Sequence, residues 1–157
     1  MATTAAQTKA DLDRMKRQVA GLNADMMVGV TQDAYESITI GHPATGAPGQ
    51  PVDTGYLRQS WSLFTDAPSF NTNGDGTDNA GTTQNPTPRK VPNPAVLIEL
   101  AMGKAHKVTI ATNTAYAEVQ EWKHATKSGS VRLTIAGLGA LASRRFAAAR
   151  RALASVR

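Results

Sequence analysis

The sequence contains no cysteine, so neither a disulfide nor a zinc site with thiolate ligands can hold the fold together. Aromatic residues are also scarce: the 157 residues include two Trp, three Tyr and three Phe. Alanine is frequent instead. The sequence therefore predicts a thin, alanine-rich core that depends on aliphatic side chains.

Long apolar runs are missing as well. The longest notable uncharged stretch, LTIAGLGALAS at 133–143, is far shorter than the roughly 20 residues that span a bilayer. The first residues, MATTAAQTKADLDRMK, lack the apolar core of a signal peptide. We therefore expect a soluble protein that is made in a cytoplasm and does not contact a membrane.

Acidic residues are absent from the last 36 positions. Residues 1–121 carry nine basic and twelve acidic side chains, a net charge of −3, whereas residues 122–157 carry eight basic side chains and a net charge of +8. Such a basic end attracts nucleic acid or the acidic face of another subunit, although a solvated helix face is equally consistent with it. The candidate partner-facing or DNA-facing residues are Arg144, Arg145, Arg150, Arg151 and Arg157.

Two long amphipathic helices are predicted by apolar residues that recur every three or four positions. The first stripe comprises Leu12, Met15, Val19, Leu22, Met26, Val30, Ala34 and Ile38. The second comprises Ile135, Leu138, Ala142, Phe146, Ala149, Leu153 and Val156. Packing against a second copy explains the first helix better than packing onto its own sheet, and both remain open. Alternation over 131–135 also allows a short strand before the second helix.

Between these helices the pattern indicates strands starting at Trp61, at 96–100 and at 107–112, followed by a short helix at 115–122. The segment 66–95 is rich in Gly, Asn, Thr, Pro, Asp and Ser and is too polar to form a core. The predicted fold class is α+β. It comprises a long N-terminal helix, a small, mainly antiparallel sheet with a long inserted loop, a short helix and a C-terminal amphipathic helix. One domain would cover 1–157, with 66–95 as an extended loop or arm.

The stretch PVDTGYLRQSW at 51–61 contains an Asp-Thr-Gly triplet, which suits an aspartic protease, a nucleotide loop or a turn. Protease catalysis requires two such triplets because two carboxylates share a proton, and the sequence has one. The turn is favoured: Asp53 or Thr54 would cap a helical turn, and Gly55 would supply an unusual backbone angle.

Other candidate sites are incomplete. GHPATGAP at 41–48 has the glycine spacing of a phosphate loop but lacks its lysine. NTNGDGTDNAGT at 71–82 resembles a calcium loop but begins with Asn and has Thr82 where a bidentate Glu belongs. The histidines are far apart in the sequence: His42, His106 and His124. We therefore expect no metal, no cofactor and no enzymatic activity.

Two motifs together resemble those of a family of tailed-bacteriophage morphogenesis proteins, the neck, tail-completion or head–tail joining proteins. The first, Val-Asp-Thr-Gly-x-Leu-Arg-x-Ser, is matched by Val52, Asp53, Thr54, Gly55, Leu57, Arg58 and Ser60. The second, Asn-x-x-Tyr-Ala-x-x-Val-Glu-aromatic-Gly, is matched by Asn113, Tyr116, Ala117, Glu121 and Trp122, and Val119 lies one position before the Val of the motif. Lys123 stands where the family usually has glycine.

The resemblance implies a non-enzymatic virion protein, made in the host bacterial cytoplasm and located at the head–tail neck. It implies a homo-oligomeric ring, a hexamer or another multiple of six, whose partners are connector or head-closure proteins and tail proteins. The basic C-terminal helix would dock on an acidic neighbouring ring or face the DNA passing through. The rival hypotheses are a small basic protein that binds DNA non-specifically and a hydrolase that uses Asp53.

Overall fold

The computed structural model describes residues 4–50, 57, 60–68, 94–112, 114 and 117–154. Within this part of the chain the elements are α1 (Ala5–Thr39), β1 (Ser62–Phe64), α2 (Pro94–Ala101), β2 (Thr109–Ala111), α3 (Ala117–Lys123) and α4 (Ser130–Ala154). Helices dominate, and β1 and β2 form a two-stranded antiparallel sheet. The α+β class is confirmed.

Helix α1 has clear start and stop signals. Thr4 caps its first turn: the Thr4 hydroxyl accepts from the Gln7 amide at 3.3 Å, and the Gln7 side chain accepts from the Thr4 amide at 2.9 Å. The helix ends at Thr39, and Gly41 follows with a φ of 106°, a conformation that favours glycine. Its 35 residues make a rod about 52 Å long.

Residues 96–100 form part of α2, not the strand that the sequence suggested. Pro94 occupies the first helical position, where its missing N–H costs nothing. Val96, Leu97 and Leu100 are buried, whereas Ile98 between them is 57% exposed. This spacing places the three buried side chains on one face of a helix, and a strand would have alternated them. The strand prediction was wrong because a run of five mostly apolar positions fits both the helical period of 3.6 residues and the strand period of two.

The hydrophobic core lies where α1, β1 and α2 meet. Its buried members are Tyr35, Ile38, Trp61, Leu63, Val96, Leu97 and Leu100. The Tyr35 hydroxyl donates to the Trp61 carbonyl at 3.2 Å, which fixes α1 against the start of β1. Trp61 and Leu63, two positions apart, both face this core.

The sheet pairs β1 with β2 in antiparallel orientation. Leu63 in β1 lies opposite Ile110 in β2, with Ser62 opposite Ala111 and Phe64 opposite Thr109. A strand within 107–112 is therefore confirmed, with narrower bounds than predicted. The short helix predicted at 115–122 is also confirmed, at 117–123.

Helix α4 packs antiparallel to α1. The Ser37 hydroxyl lies 2.6 Å from the Thr134 hydroxyl, and Asp33, one turn earlier in α1, bonds Arg145 further along α4. Leu141 between these contacts has no exposed surface. Helix α4 begins at Ser130, so the short strand suggested over 131–135 was wrong.

The face of α4 that is buried differs from the apolar stripe seen in the sequence. Ser130, Thr134 and Leu141 are buried, whereas Ile135 is 63% exposed and Phe146 is 52% exposed. The Thr134 hydroxyl bonds α1, whereas the Ser130 hydroxyl bonds the loop that follows α1. The apolar stripe is therefore rotated away from α1.

None of the helices in the described ranges is both long enough and apolar enough to cross a membrane.

Candidate functional site

The first sequence motif is tied to the second through a hydroxyl pair. The Ser60 hydroxyl donates to the Leu57 carbonyl at 2.8 Å and lies 2.7 Å from the Thr112 hydroxyl. Thr112 in turn bonds both the amide and the hydroxyl of Thr114. Leu57 is 4% exposed. Ser60 therefore connects the first motif to the segment on which the second motif begins, and Leu57 anchors it in the interior.

Glu121 of the second motif caps helix α4. Its two carboxylate oxygens accept from the backbone amides of Val131 at 3.0 Å and Arg132 at 2.9 Å. The Glu121 carbonyl also accepts from the Gly129 amide at 2.8 Å. The first amides of a helix lack partners within the helix, and a carboxylate beside them also stabilises the positive end of the helix dipole. Glu121 thus fixes the angle between α3 and α4.

Trp122 and Val119 lie on the outside of α3. The Arg132 guanidinium lies 4.6 Å from the centre of the Trp122 ring, within the range of a cation–π contact. Trp122 is 60% exposed and Val119 is 50% exposed. Ala117 begins the helix. The second motif therefore combines one structural cap with two exposed apolar side chains.

The remaining motif residues lie outside the described part of the chain: Val52, Asp53, Thr54, Gly55, Arg58, Asn113 and Tyr116. Arg157, the candidate calcium loop at 71–82 and most of the extended segment 66–95 lie outside it as well.

The five candidate basic residues do not form one set. Arg145 turns towards α1, where its Nε donates to Asp33 Oδ2 at 2.8 Å and its Nη2 donates to Asp33 Oδ1 at 2.5 Å. Side-chain exposure is 42% for Arg145 and 15% for Asp33. The aliphatic part of Arg145 also packs over Gly29. Arg145 therefore joins α4 to α1 within the chain, and its role towards a partner stays a prediction.

The same contact alters the ionisation of Arg145. The hydrogen bonds to Asp33 raise the pKa of Arg145 above its ordinary value, partial burial opposes this, and the negative charges of Asp33 and Glu36 add to the increase. The favourable contribution of charged Arg145 is therefore fully present below its unfolded pKa. It is lost only in strong alkali, as the pH rises through the folded pKa.

We expect Asp33→Ala to lower the free energy of unfolding by about 1 kcal/mol, because Arg145 loses a bidentate partner but can still reach water. Urea unfolding in a double-mutant cycle with Arg145→Ala isolates the coupling. From about pH 6 to 9 the coupling should stay constant, because Arg145 remains charged throughout. Asp25→Ala, at an exposed position on the same helix, should change stability by less than about 0.5 kcal/mol. Equal losses at both positions would contradict a specific role for the pair.

Arg144, Arg150 and Arg151 are exposed. Arg151 donates to the Ala147 carbonyl one turn earlier at 3.3 Å, and within the described ranges none of the three forms an ion pair. Arg144 and Arg151 are seven residues apart and therefore share a face of α4. Among the candidate basic residues that the structure describes, these three are both exposed and without an ion pair.

The first half of α1 extends beyond the core. Its buried residues run from Gly29 to Thr39, whereas residues 5–21, which we call the α1 arm, are exposed apart from half-buried Asp13. Leu12, Met15 and Val19 on the arm are 50%, 62% and 57% exposed. A row of apolar side chains on a helix normally packs against apolar side chains of another element. Within the described part of the chain these three side chains are left open to solvent.

An apolar groove of ≈ 400 Å³ lies between α1, β2 and α4. The α1 wall runs from Met27 to Ile38, and Ile135 and Leu138 form part of the α4 wall. Its lining residues are Met27, Val30, Thr31, Ala34, Ile38, Val108, Thr109, Ile110, Val131, Thr134, Ile135 and Leu138. Ala34 and Ile38 in the α1 wall are buried, whereas Met27, Ile135 and Leu138 at the groove are exposed.

The histidines that bond to backbone act within turns. His42 Nδ1 accepts from the Ala44 amide at 3.1 Å, and His124 Nδ1 accepts from the amides of Thr126 and Lys127 at 3.3 and 2.9 Å. Across the described ranges no three His, Cys, Asp or Glu side chains are grouped so that they could hold a metal ion. The segment 41–48 forms turns closed by a bridge between His42 and Ala47.

No family model, curated protein or solved structure matches this chain. The fold and the surface together define an α+β chain with two long antiparallel helices, an exposed apolar row on one helix and an apolar groove between the two. Within the described ranges the second helix carries four exposed arginines, Arg132, Arg144, Arg150 and Arg151.

Proposed function

We propose that this chain is a structural component of a tailed-bacteriophage particle, without enzymatic activity, that forms a ring at the head–tail junction. The ring would be a neck, tail-completion or tail-terminator layer that joins the capsid connector to the tail and surrounds the DNA passage. The proposal rests on the two sequence motifs and on the surface that the long helices present.

The observation that carries the proposal is the apolar surface left open by α1 and α4. Side chains at helical spacing on the α1 arm, and the groove between α1 and α4, are each exposed in the single chain. Extended apolar surface of this kind marks interaction sites. A subunit of a ring contacts two neighbours in the plane, and a head-to-tail contact repeated around a closed axis produces such a ring.

The two motifs support the same proposal through their positions in the fold. Ser60 links the two motif segments, and Glu121 orients α4 against α3. Both are packing or capping contacts of the subunit. Contacts of this kind hold the subunit in one fold, which a subunit needs in order to assemble with its neighbours.

The exposed arginines have two possible partners in such a ring. Arg144, Arg150 and Arg151 would dock on the acidic face of a neighbouring ring, or they would face the DNA passage. We favour docking, because a passage that bound DNA tightly would hinder ejection of the DNA.

Non-specific DNA binding by the free protein is the second candidate, and the same three exposed arginines favour it. Such binding depends on phosphate contacts and weakens steeply as salt concentration rises. Assembly through apolar surface has no such dependence.

Mass measurement of the purified protein tests the proposal directly. We expect either a closed ring, of six subunits or a multiple of six, or a monomer that becomes a ring only when mixed with isolated tails or with portal-bearing heads. The particle that recruits the chain identifies the adjacent layer. The mass should be unchanged between about 0.1 and 0.5 M salt, because screening affects charged contacts and leaves apolar ones intact.

Duplex DNA of random sequence serves as the control ligand in the same experiment. The ring proposal would be overturned in favour of DNA binding by a monomer that binds neither tails nor heads and is retained on duplex DNA in a salt-dependent manner.

A further inference from the structure

The chain carries two complementary apolar features on one molecule. The row of Leu12, Met15 and Val19 projects from the α1 arm, and the groove between α1, β2 and α4 is open to solvent. Each feature lacks an apolar partner in the described part of the chain. They invite the question of what covers each of them.

The α1 arm cannot cover the groove of its own chain. One wall of the groove is α1 itself, from Met27 to Ile38, and the arm continues the same helix away from that wall. Val19 lies about 16 Å along the helix axis from Val30, which lines the groove. A continuous helix cannot fold back on itself, so an α1 arm that fills the groove belongs to another copy of the chain.

The arm presents an apolar face of its own. Most helical stability in proteins comes from packing of such a face. The arm has 17 residues, 5–21, and makes its capping contacts only at Thr4 and Gln7. Its exposed row is the face that a partner would cover.

The dimensions of the two features agree. The row from Leu12 to Val19 is about 10 Å long, and the groove wall from Met27 to Ile38 is about 16 Å long. Both present aliphatic side chains and methionine, which adapts its shape to irregular gaps. A row of helical side chains in a hydrophobic groove is a recurring mode of recognition.

The large apolar side chains supply about half of the surface that a small specific interface buries. Six large side chains, each exposed by between 37% and 63%, would be covered. They are Leu12, Met15, Val19, Met27, Ile135 and Leu138. At about 100 Å² each they expose on the order of 600 Å² of mostly apolar surface. Flanking polar side chains on the arm bring the contact towards the roughly 1,200 Å² of a small specific interface.

We propose that the α1 arm of one copy docks in the apolar groove of a second copy. The contact is heterologous, because arm and groove are different surfaces, so repetition around an axis gives a ring when the rotation closes. This inference deepens the proposed function by naming the contact between subunits, and in that respect it rests on it.

The absence of cysteine from the chain permits a clean test by disulfide trapping. Val19→Cys and Leu138→Cys are made in separate full-length chains of different mass, mixed and oxidised. Both positions are exposed, by 57% and 39%, so neither change disturbs the core, and cysteine keeps a small apolar side chain at each end of the contact. We expect the disulfide-linked heterodimer to be the main product, at least about tenfold above either homodimer. Within one chain the two positions are too far apart, since a disulfide requires Cα atoms closer than about 7 Å.

Ala10→Cys is the matched control on the arm. Ala10 is exposed and lies on the opposite side of α1 from the apolar row, because nine residues of helix rotate a side chain by about 180° relative to Val19. Mixing Ala10→Cys with Leu138→Cys should give only background heterodimer. Equal yields from the two mixtures, or no heterodimer from Val19→Cys, would overturn the docking proposal.

The outcomes separate the interface from the function. A ring on phage particles without the Val19–Leu138 crosslink would leave the neck proposal standing and assign the groove to a different occupant. A crosslink in a chain that joins neither tails nor heads would establish the contact between copies and remove the neck proposal.

Discussion

Leu141→Ala should lower the free energy of unfolding by about 3 kcal/mol, within the range of 2–5 measured for buried leucines. Leu141 has no exposed surface and lies at the α1–α4 contact, so truncation removes apolar burial and leaves a cavity between two helices. For a chain of this size the expected fall in Tm is roughly 6–12 °C. Urea unfolding monitored by circular dichroism measures the change.

Leu138→Ala is the matched control for this prediction, because it makes the same change one turn away on α4. Leu138 is 39% exposed, so its loss should cost the isolated chain less than about 1 kcal/mol. In the assembly the same variant should weaken docking, since Leu138 lines the groove. Similar stability losses for the two leucines in the isolated chain would show that α4 does not pack on α1 through Leu141.

Gly49→Ala should lower the free energy of unfolding by about 3 kcal/mol or more, at least as much as Leu141→Ala. Gly49 has a φ of 73°, and a methyl group there would overlap the carbonyl group of Ile40. Left-handed backbone alone costs an alanine roughly 1–2 kcal/mol, and the overlap with backbone forces the loop to move. The loop is fixed at this point, because the Gln50 amide donates to the Thr39 carbonyl at 3.0 Å and the Ser130 hydroxyl donates to the Gly49 carbonyl at 2.8 Å.

Gly46→Ala separates the two causes of that loss. Gly46 has a φ of 70°, and a methyl group there would meet nothing within 4 Å. We therefore expect Gly46→Ala to lower the free energy of unfolding by about 1 kcal/mol, which is the cost of left-handed backbone alone. Thermal and urea unfolding of both variants give the comparison. A Gly49 variant no less stable than the Gly46 variant would contradict the close approach to Ile40.

The long helices were predictable because their signals are local. Apolar recurrence every three or four residues fixes the helical period. The end of α1 was also predictable, since glycine at Gly41 stops a helix. The apolar run at 96–100 was not, because a run of that length fits either a helix or a strand. Burial against Tyr35 and Leu63 in one core decides between them.

The surface contacts could not be predicted because they join residues far apart in the sequence. Asp33 and Arg145 are separated by 112 positions. Arg145 is adjacent to exposed Arg144, so the local sequence does not show which of the two arginines bonds Asp33. Glu121 was noted as a motif residue, but its bond to the first amides of α4 depends on the turn between the helices. Periodicity places apolar residues on one face and does not state which neighbour covers that face.

The sequence by itself determined the α+β class, the two amphipathic helices, the strand in 107–112 and the short helix after it, because each depends on periodicity and capping within a few neighbouring residues. Only the tertiary structure decided which faces are buried. Close approach of α1 and α4 selects hydroxyls and Leu141 for the contact, and this leaves Ile135, Leu138 and the α1 arm exposed. That choice depends on distance between helices, a property that a local pattern does not contain.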